Sequence, residues 1–157
     1  MSARYTNLLA RVQAASASAN SAPALMQKIS DLLHGEIARF NWVGFYVLSK
    51  TESNVLTLGP FTGSFTPIER VPLNQGLCGA AASSEQCVVV NDVSSDPRYL
   101  PGSPMVKSEM VAPVLAHGKV VAEFDVNSYF AGTFAADEQE LVNACAEVVG
   151  RYLEKNA

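Results

Sequence analysis

The sequence predicts an α+β fold: an antiparallel sheet with the N- and C-terminal helices packed together on one of its faces. Two observations lead there. Apolar residues recur at steps of three and four near both ends of the chain and at steps of two through much of its middle, and the period first changes at Asn41. Composition agrees, since 157 residues, 48% apolar and 17% charged, suit one globular domain, so residues 1–157 are read as a single domain.

The elements follow in order. Residues 3–17 and 22–40 read as helices, the second with Leu25, Met26, Ile29, Leu32, Leu33, Ile37 and Phe40 on one broad face, Ser21 as a cap and Pro23 in the first turn. The small polar run Ala-Ser-Ala-Ser-Ala-Asn-Ser breaks them apart. Residues 42–48 and 54–58, rich in aromatic and branched side chains, form a hairpin around Ser-Lys-Thr-Glu-Ser. A short strand near 69–73, a brief helix at 76–84 and a strand at 87–90 come next. Residues 91–107, with three prolines and Gly102, read as a long loop over a site or an edge. Strands 109–116 and 119–127 flank His117-Gly118, a pair suited to a tight turn. The last helix carries Leu141, Cys145, Val148 and Tyr152 on a core-facing stripe.

Charge and composition narrow the function. A net charge of −4 with eleven scattered basic residues gives no footprint for a phosphate backbone, so nucleic acid is not an expected partner. No apolar run reaches bilayer length, and Met-Ser-Ala-Arg-Tyr-Thr-Asn is not a basic segment followed by an apolar one; the expectation is a cytoplasmic protein with no membrane partner. Three cysteines, an odd number, suit free thiols in a reducing compartment. Cys78, Cys87, Cys145, His34 and His117 lack the close pairing of zinc ligands, so neither metal nor cofactor is expected.

Three groups of residues carry possible chemistry. Cys78, in Gly76-Leu-Cys-Gly79 at the start of a short helix, is either a thiol activated by backbone amides or a small packed side chain. Glu109 begins one strand, and Asp125 and Asn127 share a face of the next; together they could hold an ammonium group, or they line a solvated face. Trp42 and Tyr46 share a strand face with Gly44 between them, a wall for a methyl group or ordinary core packing.

Asn41-Trp-Val-Gly-Phe-Tyr46, Leu58-Gly-Pro-Phe61, Gly76-Leu-Cys-Gly79, Ser108-Glu109 with Val111 and Pro113, Phe124-Asp-Val-Asn-Ser128 and Asp-Glu-Gln-Glu-Leu at 137–141 occur in an order that resembles one family, the free methionine-(R)-sulfoxide reductases, which are stand-alone GAF domains. The resemblance implies a six-stranded GAF sheet, a homodimer, and a pocket in which Trp42 and Tyr46 wall the substrate's methyl group while Glu109, Asp125 and Asn127 meet its amino group and sulfoxide. Two departures stand out. Asn127 is an amide where the family has a carboxylate, so it supplies no charge and relays no proton. The family's reaction needs a thiolate that attacks the sulfoxide sulfur and a second thiol that resolves the sulfenic acid. Counting back from Ser108-Glu109, the nucleophile's position is Gly102, and a further family cysteine falls on Ile68, so of three only Cys78 remains.

Three functions are consistent with this reading. One is a pocket for a small amino-acid-like ligand such as free methionine sulfoxide, with reductase activity lost or weakened. Another is a reductase using Cys78 and an external thiol such as thioredoxin. The third is a signalling GAF domain for a cyclic nucleotide, which rests on the fold alone.

Overall fold

The computed structural model describes residues 1–65 and 67–156. Six strands form one sheet in the order β3-β2-β1-β6-β5-β4, with every neighbouring pair antiparallel. They are β1 (Trp42–Leu48), β2 (Val55–Gly63), β3 (Arg70–Pro72), β4 (Val88–Val90), β5 (Ser108–Ala116) and β6 (Lys119–Ser128). Four helices accompany them: α1 (Ala3–Ser18), α2 (Ala22–Glu36), α3 (Gly76–Ser84) and α4 (Ala136–Asn156).

Period-2 alternation sorts the sheet into two faces. Val43 and Phe45 of β1, Met110, Ala112 and Val114 of β5, and Phe124 and Val126 of β6 meet α1, α2 and α4 in the larger core, which also buries Leu8, Val12, Ile29, Leu33, Leu141 and Val149. The Phe45 and Phe124 rings lie 4.4 Å apart at its centre. Each fully buried side chain of this size contributes about 1.5–3 kcal/mol, so this core dominates the apolar stabilisation. The intervening residues face the other way, where α3 and the loops cover a smaller core of Trp42, Tyr46, Leu56, Val71, Leu77, Ala81 and Val111.

Caps hold the helices in register. The Ser2 hydroxyl accepts from the Tyr5 N–H and the Ser21 hydroxyl from the Ala24 N–H, with Pro23 in the first turn of α2. α2 ends at Glu36, four residues before the expected end at 40. Ile37 and Phe40 remain buried, but Ile37 is already extended and Asn41 donates its N–H to Asn127, which commits the chain to pairing with β6.

β2 runs to Gly63, past the expected end at 58, despite Gly59 and Pro60. A bulge accommodates them: Gly44 pairs with Phe61 and Tyr46 with Leu58, leaving one extra residue on β2. The β5–β6 turn uses His117 at φ 52° and Gly118 at φ 76°, the left-handed pair that a two-residue hairpin demands. Between β4 and β5 the long loop contains a 3₁₀ turn, Val93–Ser95, and is fastened by a hydrogen bond from the Val93 N–H to Lys107 and by the Asn91 amide, which bonds both backbone groups of Phe134.

Candidate functional site

The smaller core leaves a recess, open at its mouth, lined by Trp42, Tyr46, Cys78, Glu109, Asp125 and Asn127. These are the six site residues read from the sequence. Gly102 lines the same recess.

Its aromatic wall rests on two glycines. The indole of Trp42 lies over Gly44 and Gly63: a methyl built on Gly44 would come within 2.7 Å of Cη2, and one on Gly63 would collide with Cδ1. Tyr46, Phe61 and Phe65 stack around the indole at centroid distances of 6.1, 5.4 and 5.9 Å. The Tyr46 hydroxyl donates to the Ile68 carbonyl at 2.6 Å, tying the wall to the segment after β2.

The floor is acidic and dry. Glu109 and Asn127 are opposite partners in the β5–β6 ladder, with Asp125 two residues along the same face. All three are buried, at 7%, 6% and 4% exposure for Glu109, Asn127 and Asp125, which rules out a solvated face. Asn127 Nδ2 donates to Asp125 Oδ1 at 3.1 Å, and the Cys78 thiol points at Asp125 Oδ2 from 3.7 Å. Burial and the neighbouring Asp125 push the Glu109 carboxyl well above its ordinary range. Burial also raises Asp125, to about 6, while hydrogen bonds from Glu109, Cys78 and Asn127 limit the rise. Burial and mutual repulsion hold both carboxyls toward their protonated forms, and a single ammonium group is the charge that this floor would accept.

Cys78 sits at the start of α3, but the amides do not activate it. Burial, followed by the charges of Asp125 and Glu109, raises its thiol well above the ordinary value, so it is held as a hydrogen-bond donor. One donor atom each from Cys78, Glu109 and Asp125 lie within 4.8 Å of one another. That is a ligand set the Cys and His spacing did not register, and a cation there would have to displace the protons of Glu109 and Cys78. Cys145 is fully buried in the helix-side core and Cys87 packs at that core's margin, both away from the recess. His117 is a turn residue, and His34 lies in the last turn of α2, where a cation suits the helix end.

Sequence reasoning missed two sets of residues. Phe65, Leu100 and Ile68 line the recess from irregular segments, where no periodicity marks them. Glu123 was legible, because it lies two residues before Asp125 and so on the same face. It stands opposite Tyr46 and Pro113, fully buried, with neither carboxyl oxygen hydrogen-bonded among the described residues. Burial, then the charge of Asp125, raises it to about 9, so it too is a neutral acid at pH 7.

Comparison with known proteins places this geometry. The GAF domain family model matches residues 21–153. The free methionine-R-sulfoxide reductase of Escherichia coli (strain K12) is 30% identical over 145 residues, 92% of this chain and 86% of its own. Among solved structures, the free methionine-R-sulfoxide reductase from Neisseria meningitidis in complex with its substrate superposes with a TM-score of 0.89 at 27% identity, covering 96% of this chain and 88% of that one. The reduced form of the Staphylococcus aureus enzyme gives a TM-score of 0.87 at 29% identity, covering 95% and 94%. A GAF domain from a Coxiella burnetii phosphotransferase, 12% identical, shares the fold with a TM-score of 0.86 over 97% and 94%. The chain belongs to the GAF domain family and, within it, is homologous to the free methionine-R-sulfoxide reductases.

Proposed function

We propose that the protein binds a small free amino acid of the methionine sulfoxide type and reduces it weakly or not at all. The observation that carries this reading is Gly102: it lies on the recess wall with Trp42, Tyr46, Glu109, Asp125 and Asn127, where the homologous reductases are expected to present their attacking thiol. Asp125 takes the ammonium group, and the aromatic wall takes the apolar end of the side chain. Cys78 is a poor substitute nucleophile, since its proton is retained and its sulfur is turned toward Asp125. Action on a free ligand in a cytoplasmic setting, as a homodimer, completes the proposal.

Two measurements test it. Titration calorimetry with L-methionine-(R)-sulfoxide should show binding at one site per chain. A coupled assay with thioredoxin, its reductase and reduced nicotinamide cofactor should show turnover near background. Robust turnover abolished by Cys78→Ser would replace this reading with a reductase that uses Cys78 and an external thiol. A rise in melting temperature with cyclic nucleotides and none with amino acids would replace it with a signalling domain.

A further inference from the structure

We propose that Leu100 is the partition that confines the ligand to the recess, and that trimming it joins the recess to the groove beside it, so that the site takes ligands enlarged at the carboxyl group. This rests on the amino-acid reading above and extends it to the ligand's third substituent.

Two cavities meet at one side chain. The recess and an open groove beside α3 share Gly76 and Leu100 among their lining residues. Leu100 is seated on Gly76: a Cβ built on that glycine would lie 3.2 Å from Leu100 Cβ and 3.7 Å from its Cδ2. Gly76 also has φ 70°, so the turn into α3 and the seat of Leu100 both call for glycine. The segment leading to Leu100 is braced as well. The Asp96 carboxylate accepts from the Arg98 backbone N–H at 2.8 Å and from its guanidinium, and the Tyr99 N–H donates to the Asp96 carbonyl at 3.2 Å. Leu100 therefore stands as a positioned wall with a cavity on either side.

The ligand's own shape decides which of its groups meets that wall. With the ammonium group at Asp125 and the apolar end against Trp42 and Tyr46, the carboxyl group is left to the side lined by Gly76, Leu77, Leu100 and Gly102. Beyond Leu100 the groove presents Asn74, Gln75, Ser83 and Arg98, whose amide, hydroxyl and guanidinium groups suit an amide-linked extension. A substituent on the ligand's carboxyl group runs into Leu100 in the native chain. Alanine at this position removes Cγ and both methyl groups and opens the way into the groove, so one side chain carries the exclusion.

Calorimetry on wild type and Leu100→Ala uses three probes: L-methionine-(R)-sulfoxide, its N-methylamide, enlarged at the carboxyl group, and its N-acetyl derivative, enlarged at the amino group. Wild type should bind the free amino acid about a hundredfold more tightly than the N-methylamide. Leu100→Ala should narrow that ratio by about tenfold or more, and should still reject the N-acetyl derivative, which lacks the ammonium group that the floor receives. Equal wild-type affinity for the free amino acid and the N-methylamide, or a ratio that Leu100→Ala leaves unchanged, overturns the inference while leaving the amino-acid reading intact. Binding of the N-acetyl derivative by the variant as tightly as the N-methylamide also overturns it, since general loosening of the site would then account for the gain. Failure of wild type to bind the free amino acid removes both. Should Leu100→Ala fail to fold, Leu100→Val, which removes less, decides by the same ratio.

Discussion

Glu109 and Asn127 face each other across the β5–β6 ladder, and the amide of Asn127 turns its nitrogen toward Asp125. An amide here satisfies the cluster without adding charge. Asn127→Asp restores the carboxylate the resemblance implies and places three acids within one dry site. Repulsion should then raise the cluster's titration further and cost about 1–3 kcal/mol of stability at pH 8. Affinity for an ammonium ligand should become more pH-dependent in compensation. Urea denaturation and calorimetry between pH 6 and 9 check both, and an unchanged pH profile would contradict the coupling.

Asp125 makes ligand binding pH-dependent with a definite sign. It titrates at about 6 in the folded protein, above its ordinary range, so the anion that receives an ammonium group forms as pH rises through that value. Affinity should increase from pH 5 to 7 and level off above. Asp125→Asn should flatten the profile and weaken binding by about a hundredfold, roughly 3 kcal/mol. The same shift affects folding: the native state holds this proton more tightly than the unfolded chain does, so Asp125's contribution to stability falls from about pH 4 to 6 and is constant above.

Glu123 should destabilise the protein at alkaline pH. Its folded titration near 9 lies above the unfolded value of about 4.3, so its contribution declines as pH rises across that window. Replacing it with leucine removes a buried acid with no hydrogen-bond partner among the described residues, and should raise stability at pH 8 by about 1–3 kcal/mol and flatten the pH dependence. Chemical denaturation at pH 5 and pH 9 measures the difference. A Glu123→Leu variant less stable than wild type at pH 9 would show that the carboxyl has partners in solution.

Gly102→Cys should be tolerated and should raise reductase activity. Among the described residues a Cβ there meets the far edge of the Phe65 ring, at 3.4 Å, and the backbone is not left-handed. Stability should change by less than about 1 kcal/mol. Turnover of methionine-(R)-sulfoxide with thioredoxin should rise above the wild-type background and rise again when Ile68→Cys adds a resolving thiol, since both residues line the recess. Absence of any gain in the double variant would count against Gly102 as the position of a lost nucleophile.

The strands and helices were legible because the sheet's two faces write a period of two and the helices a period of three to four. Glu109, Asp125 and Asn127 were legible for the same reason, as polar residues in strands at positions that share a face. What the sequence could not reveal was their dryness, which depends on α3 and on the loops that close over the floor. Leu100 and Phe65 reach the recess from irregular segments, and the bulge at Gly59-Pro60 hid the second half of β2. Of the two readings the sequence left open for Cys78, the buried, packed side chain is the one the structure favours, because burial beside two carboxyl groups outweighs the helix-start amides.

Each central strand serves two cores at once, with alternate residues belonging to each. The helix-side core supplies most of the folding free energy, and the recess residues lie outside it. Substitutions in the recess therefore leave the helix-side core in place, and their cost in stability is confined to the smaller core. The same insulation gives a lineage room to trade chemistry: a thiol can be lost, or a carboxylate become an amide, without the protein crossing the threshold below which it ceases to fold.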